Sequence, residues 1–397
     1  MEEIYVTGAG IVSAIGMDKQ ETFIALKEQR TGVAPLRYVK TAHTEFPVGE
    51  VKRTNEAMMA SLRIPETEII TRTTLMGKLA MREALEQAGL HQKNGWRMAL
   101  ISGTTVGGMD MSEQYYLDFL TNDTRNAYIL AHDCGACTEM IADYFGIFSH
   151  LETISTACSS AANAIMTGAQ LIRAGRADIA VVGGSECITK FHLNGFNTLM
   201  ILDREHCKPF DARRAGLNLG EGAAYLVLES EKTLRQRNVE PLCRLSGYAN
   251  SCDAFHQTAS SPEGEGAYLA MVKALASAQL RPEAIDYINA HGTGTENNDL
   301  TEGRAIQRVF GETIPPVSST KAFTGHTTSA AGGVEAVISL LALLHDFVPA
   351  NLNFSTPMEE LPFTPVTGET PHLPLKHVLS NSFGFGGNES SLILSKL

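Results

Sequence analysis

Short apolar runs of strand length alternate along this chain with longer stretches whose apolar positions recur at helical spacing. The runs EEIYVTG, MALISGT, DIAVVGG and AAYLVLE read as buried strands, and TLMGKLAMREALEQAGL and SAANAIMTGAQLIRAG read as helices. That alternation predicts α/β layers. A charged stretch, ESEKTLRQRNVEP, interrupts it, and the order then restarts with LCRLSGYA, GAYLAMVKALASAQL, DYINAHGTGT, LTEGRAIQRVF and HVLSNSFGFGG. The break divides the chain into two similar halves, residues 1–232 and 241–397. In each half an apolar run ends in a turn of small residues: LETISTACSS in the first, DYINAHGTGT and HVLSNSFGFGG in the second. Two such halves packed together would bring these turns to their interface, although no residue-level repeat is visible.

Composition narrows the class. A chain of 397 residues, 44% hydrophobic and 19% charged with 35 glycines, is long enough to bury a large core without disulfide or metal staples. Its net charge of -12 argues against nucleic-acid binding, which needs a basic face. The longest apolar run, VEAVISLLALLHDF, contains Glu335 and is too short for a membrane span, so it reads as a core helix. Glutamates at positions 2 and 3 stand where a secretory signal would be basic, and seven cysteines without a disulfide spacing suit a reducing compartment. A cytoplasmic protein is therefore expected.

Two motifs point elsewhere and are weak. Gly8 and Gly10 in VTGAGIVSAIG begin a dinucleotide fingerprint that lacks its third glycine and its ribose-binding acid, which leaves a tight strand-to-helix turn as the better reading. Cys134 and Cys137 in HDCGACTEM have the spacing of a redox pair or half a zinc site, but no second ligand pair or thioredoxin-like context accompanies them. A packed helix start is the expectation, with no metal.

Four other turns carry chemistry together. Cys158 in STACSS lies where a strand ends and a helix begins, and the helix N-terminus favours a thiolate. His291 sits in the Gly-Thr turn NAHGTGTENND. Lys321 and His326, five apart, lie in STKAFTGHTTSAAGG. SNSFGFGGNESS closes the set with Phe383, Gly384, Phe385, Gly386 and Gly387, where glycines let backbone N–H groups approach a ligand. Taken singly, each histidine would more often be structural and Lys321 a solvated charge.

In this order, from VTGAGIVSAIG to SNSFGFGG, the turns resemble the β-ketoacyl-acyl carrier protein synthases of the ketosynthase II type, members of the thiolase-fold superfamily. The resemblance implies an α/β thiolase fold, two similar halves forming a five-layered αβαβα core. It implies a Cys-His-His site that performs decarboxylative Claisen condensation of malonyl carrier protein with an acyl chain held on Cys158. His291 and His326 would bind the malonyl group and stabilise its enolate, with Lys321 supporting them. The backbone N–H groups of Cys158 and Phe385 would form the oxyanion hole, and the Phe385–Gly386 turn the gate. Thr293 and Thr295 would hold the pantetheine arm, and Val106 would wall the acyl pocket. Phosphopantetheine would arrive as part of the acyl carrier protein substrate, so no cofactor is expected. The acidic carrier protein needs a local basic patch, for which Lys208, Arg63 and Arg72 are the candidates. A homodimer is expected from the family.

The sequence also departs from the housekeeping pattern. Thr328 and Ser329 follow Gly-His-Thr, and Asn388 and Glu389 follow GFGG where Thr-Asn is usual. With HGTGTENND, these changes look closer to ketosynthases of polyene or pigment pathways than to those of membrane lipid synthesis. A thiolase acting on coenzyme A esters would need a second cysteine near the C-terminus, and none follows Cys252. A non-catalytic chain-length partner would lack the active-site cysteine. A thiolase-fold binding protein without turnover leaves the constellation unexplained.

Overall fold

Period-two and fully apolar runs become ten strands: β1 (Ile4–Ser13), β2 (Met98–Gly103), β3 (His150–Ile154), β4 (Ile179–Glu186), β5 (Gly222–Ser230), β6 (Cys243–Cys252), β7 (Tyr287–Asn289), β8 (Val317–Ser318), β9 (His377–Gly384) and β10 (Asn388–Ser395). The structure, a computed structural model, describes residues 2–92, 95–368 and 373–397. The strands join in the order β3-β2-β4-β5-β1-β6-β10-β9-β7-β8. Read inward from either edge, each half runs third, second, fourth, fifth, first. The pairing senses also match: parallel on both sides of β2 and of β7, then antiparallel through β4–β5–β1 and through β9–β10–β6. The halves meet through a short antiparallel contact, Tyr5 against Arg244 and Val6 against Cys243. Order of elements and the small-residue turns were the traces of duplication in the sequence, and strand topology makes it explicit.

Helices complete five layers. Helix Arg72–Ala88 covers the outer face of the first half, packing on β1 and β5, and helices Glu265–Ala278 and Glu296–Phe310 cover the second. Between the halves lie helices Ser160–Arg173 and Ala331–His345, which pack on each other and on strands of both. The stretch Thr328–His345 is apolar and long enough to cross a membrane by composition, but 89% of it is buried. It is the core helix expected from its sequence. Each fully buried side chain there, such as Val337, Ile338 and Leu343, contributes about 1.5–3 kcal/mol by leaving water.

The N-terminal glycines behave differently from the expectation. Strand β1 runs straight through Gly8 and Gly10 with no turn between them. A Cβ at Gly8 would lie 2.2 Å from the Ala84 carbonyl oxygen, and one at Gly10 2.0 Å from that of Ala80. These glycines let the strand backbone touch helix Arg72–Ala88. Cys134 opens helix Cys134–Phe145, and Cys137 accepts from the Thr74 hydroxyl at 3.4 Å. That is the packed helix start, and all seven cysteines are free thiols.

Candidate active site

Strand β3 ends at Ile154, and the chain turns through Ala157, held at φ 51°, before helix Ser160–Arg173 begins. A left-handed alanine is strained. It places Cys158 at the helix entrance, 5% exposed, with Sγ 3.1 Å from His326 Nε2. Burial pushes the thiol up to about 12, opposed by the Lys321 charge and the Phe385 N–H that points at the sulfur. The resting thiol is thus protonated and needs a base. Burial and Lys321 hold His326 well below the usual histidine range, so its ring is neutral and able to take that proton.

His291 follows β7. Its backbone N–H and that of Gly292 both donate to Glu302 at 2.8 Å, which fixes the turn. Its Nδ1 lies 3.2 Å from Lys321 Nζ. An ammonium can only donate, so Nδ1 is the acceptor and the proton sits on Nε2. Burial, Lys321 and His326 keep this ring neutral as well. The two imidazoles meet edge to face at 5.2 Å, and both line the same cavity.

Lys321 is 2% exposed and forms an ion pair with Glu335, which is 3% exposed. A buried ammonium requires such a partner. Burial outweighs Lys321 at Glu335 and pushes its carboxyl up to about 7. Glu335 and Glu302 are the functional residues that sequence reasoning missed. The signal was present in Glu335, a carboxylate in an otherwise apolar helix, which must be paired when buried.

The GFGG turn closes the floor. A Cβ on Gly384 would come within 2.9 Å of the Thr156 carbonyl and 3.2 Å of the Cys158 nitrogen, so the turn backbone presses against the nucleophile. Phe385 stacks on Phe196 with centroids 5.9 Å apart. Gly386 spends its N–H on the Gln257 carbonyl at 2.8 Å, leaving that of Phe385 as the donor near sulfur. Cys158, His291, His326, Thr293, Thr295 and Phe385 all line one cavity of about 350 Å³. The Thr293 and Thr295 hydroxyls are 2.9 Å apart.

Other candidates fall outside this volume. Val106 is 2% exposed and packs in the outer core, its N–H held by Glu186 at 3.0 Å, and it is not on the cavity wall. Arg72 is corrected outright: only 7% exposed, it binds Glu221 with Nε at 2.9 Å and Nη2 at 2.6 Å and donates to the carbonyls of Val51 and Arg53. A guanidinium so enclosed is structural and offers no docking charge. Arg63 is exposed at the end of helix Asn55–Leu62. Lys208 is half-buried and pairs with Glu205 at 2.6 Å, and its backbone adjoins Gly294 of the cavity turn. Of the departures, Ser329 donates to Glu186, and Glu389 lines the cavity.

A thiol facing a neutral imidazole, with a second imidazole anchored by a buried lysine, on two stacked α/β halves, defines a thiolase-fold acyl-transferring condensing enzyme. Residues 1–233 match the family "Beta-ketoacyl synthase, N-terminal domain" and residues 242–355 its C-terminal domain. The chain belongs to the β-ketoacyl synthase family. It is 32% identical to a 3-oxoacyl-[acyl-carrier-protein] synthase 2 of Coxiella burnetii, over 99% of this chain and 98% of the relative. A chain of the ishigamide ketosynthase/chain length factor superposes with a TM-score of 0.92 at 29% identity, covering 100% of this chain and 99% of that one. A chain of the Xenorhabdus doucetiae ketosynthase (ApeO) in complex with its chain length factor (ApeC) gives 0.86 at 32% identity, covering 100% and 98%.

Proposed function

We propose that the protein extends acyl chains carried on acyl carrier protein by decarboxylative condensation, with Cys158 as nucleophile. In the first half-reaction the thiol proton passes to His326 Nε2, 3.1 Å away, as sulfur attacks the acyl thioester. The proton then leaves with the departing pantetheine thiol. Backbone N–H groups of Cys158 and Phe385 receive the developing oxyanion. In the second, the Nε2–H of His291 donates to the malonyl thioester carbonyl, with the His326 ring beside it, while carbon dioxide departs. The electrons of the broken C–C bond go into an enolate that the His291 donor stabilises, and the enolate carbon attacks the Cys158 thioester, expelling the thiolate, which takes up a proton from solvent to restore the resting thiol. Lys321 keeps His291 in the donor tautomer through Nδ1. Neutral imidazoles suit this task, because the step needs donors and no strong base.

The contact between Cys158 Sγ and His326 Nε2, beside the anchored His291, carries the reading. Incubation with acyl carrier substrates and peptide mapping by mass spectrometry tests it. Acylation confined to Cys158, with carbon dioxide released from malonyl carrier, is the expected result. Acylation that persists in Cys158→Ala, or no carbon dioxide release, overturns it.

We further place the protein in the cytoplasm as a homodimer acting in a polyene or pigment pathway. The dimer is supported by β3, an edge strand with Leu151 40% exposed, and by Leu117 at 76% and Leu120 at 74% exposed on the segment between β2 and helix Cys134–Phe145. The pathway rests on Thr328, Ser329, Asn388 and Glu389. A panel of acyl carrier substrates differing in length and unsaturation, with the mass of the assembly in solution, decides both.

A further inference from the structure

Glu389, the second residue of β10, is 2% exposed, lines the cavity that holds Cys158 and both histidines, and has no hydrogen-bond partner for Oε2 among the described residues. Strand register sets it directly across from Phe383. Directly opposed residues project from the same face of a sheet. The Phe383 ring lies 5.8 Å from that of His291, and Glu389, Phe383 and His291 all line the same cavity.

The acidic neighbours are occupied. Asp253 accepts from the Ser261 N–H at 2.5 Å, its hydroxyl at 2.7 Å and the Gly266 N–H at 2.9 Å. Glu302 accepts from His291, Gly292 and the Asn381 amide. Burial first, then Asp253 and Glu302, holds the Glu389 carboxyl well above the usual range, which favours its neutral form, the one with an O–H to donate. A buried polar group left without a partner is costly. On a cavity wall that cost is removed when a ligand brings the missing acceptor. The acyl thioester on Cys158 directs its oxygen to the Phe385 N–H, so the acceptor beside His291 belongs to the malonyl substrate.

We propose that Glu389 is a substrate-binding residue of the malonyl half-reaction, its carboxyl hydrogen bonding an oxygen of the malonyl group next to His291. The inference rests on the malonyl assignment above and goes beyond it by naming a contact specific to this chain.

The test compares Glu389→Met, which keeps the length and removes the donor, with Glu389→Gln, which keeps a donor. Acyl loading of Cys158, KM for malonyl carrier protein and Tm are measured for each. Loss of one hydrogen bond to an anionic group predicts KM about tenfold higher in the Met variant. Acyl loading should stay within about twofold and Tm unchanged or higher, since an apolar group replaces an unsatisfied one. The Gln variant should keep KM within about threefold of the wild type. An unchanged KM in the Met variant, equal losses in loading and condensation, or a Gln variant as impaired as Met overturns the proposal. Glu389→Ala gives the same comparison should the Met variant not fold. A wild-type protein that never acylates Cys158 or never releases carbon dioxide would instead fail the underlying reading, and the loading assay separates the two.

Discussion

The two halves share one topology and do different chemistry. The third strand of each, β3 and β8, leads through a turn into a middle-layer helix. In the first half that turn carries Cys158, and in the second it carries Lys321 and His326. The second strands, β2 and β7, each lead into a turn whose backbone N–H groups are held by a buried glutamate. Glu186 holds Thr105 and Val106 in the first half, and Glu302 holds His291 and Gly292 in the second. The turns after the third strands therefore supply the nucleophile on one side and His326 on the other, and the turn after the second strand supplies His291 in the second half alone. A duplicated scaffold brings corresponding strand ends face to face, after which each turn can change without moving the frame. On the proposed mechanism the division would also separate the half-reactions, the first half holding the acyl chain and the second, through His291, activating malonyl.

The largest expected effect tests that division directly. Cys158→Ala should abolish acyl loading and lower condensation roughly a thousandfold or more, because no other thiol among the described residues lines the cavity, while decarboxylation of malonyl carrier continues. His291→Ala should do the reverse, loading Cys158 at a rate within a few-fold of wild type while condensation falls by roughly two to three orders of magnitude. Single-turnover loading and carbon dioxide release measure the two separately. If His291→Ala loses loading as completely as condensation, the halves do not divide the reaction.

Next in size is the buried pair that anchors His291. Lys321→Met removes the charge facing Glu335 and frees His291 Nδ1. Leaving one partner of a buried pair alone costs about 3–5 kcal/mol. The double variant Lys321→Met with Glu335→Leu replaces both partners by apolar groups and should recover most of the Tm. Condensation should stay low in the double variant, because nothing then selects the His291 donor tautomer. Recovery of condensation together with Tm would reduce Lys321 to a packing role.

How much of this was legible in the sequence follows from where each signal resides. Cys158, His291 and His326 stand in turns whose small residues mark them, and the alternation of apolar runs gave the layers. Glu335 was hidden because a single carboxylate in an apolar run reads as an interruption until its partner, 14 residues away at Lys321, is seen across the core. Arg72 was misplaced for the converse reason. Charge is visible in sequence, but the Glu221 that encloses it is 149 positions away. Gly8 and Gly10 read as a turn because glycine permits both a turn and a close approach, and only helix Arg72–Ala88 pressing on β1 selects the second. Long-range pairing decided each case that local pattern could not.

A smaller effect tests how the halves are fastened. Ser329 of the second half donates to Glu186 of the first, which also receives the Thr104 and Thr105 hydroxyls at 3.1 Å and 2.6 Å. With those donors remaining, Ser329→Ala should cost only about 1–2 kcal/mol, seen as a Tm lower by a few degrees. Acyl loading should hold within about twofold, since hydrogen bonds at this size shift stability more than chemistry. A loading defect at unchanged Tm would instead mean that Glu186 acts on the Thr105–Val106 turn during acyl transfer.

The smallest effect concerns the surface beside Gly294, where the halves meet. Lys208 of the first half lies beside Gly294 of the second, and its charge is already shared with Glu205 at 2.6 Å. An exposed ion pair of this kind contributes about 0–1 kcal/mol. Lys208→Glu should therefore leave Tm unchanged and raise KM for the acidic carrier protein about three- to tenfold at low salt. The difference should fade as ionic strength rises and surface charges more than a Debye length apart are screened. Arg72→Glu provides the contrast: it buries a second carboxylate against Glu221 and should unfold the protein at any salt concentration. If Lys208→Glu leaves KM unchanged at low salt, carrier docking falls to other cations, with Arg63 the first to reverse.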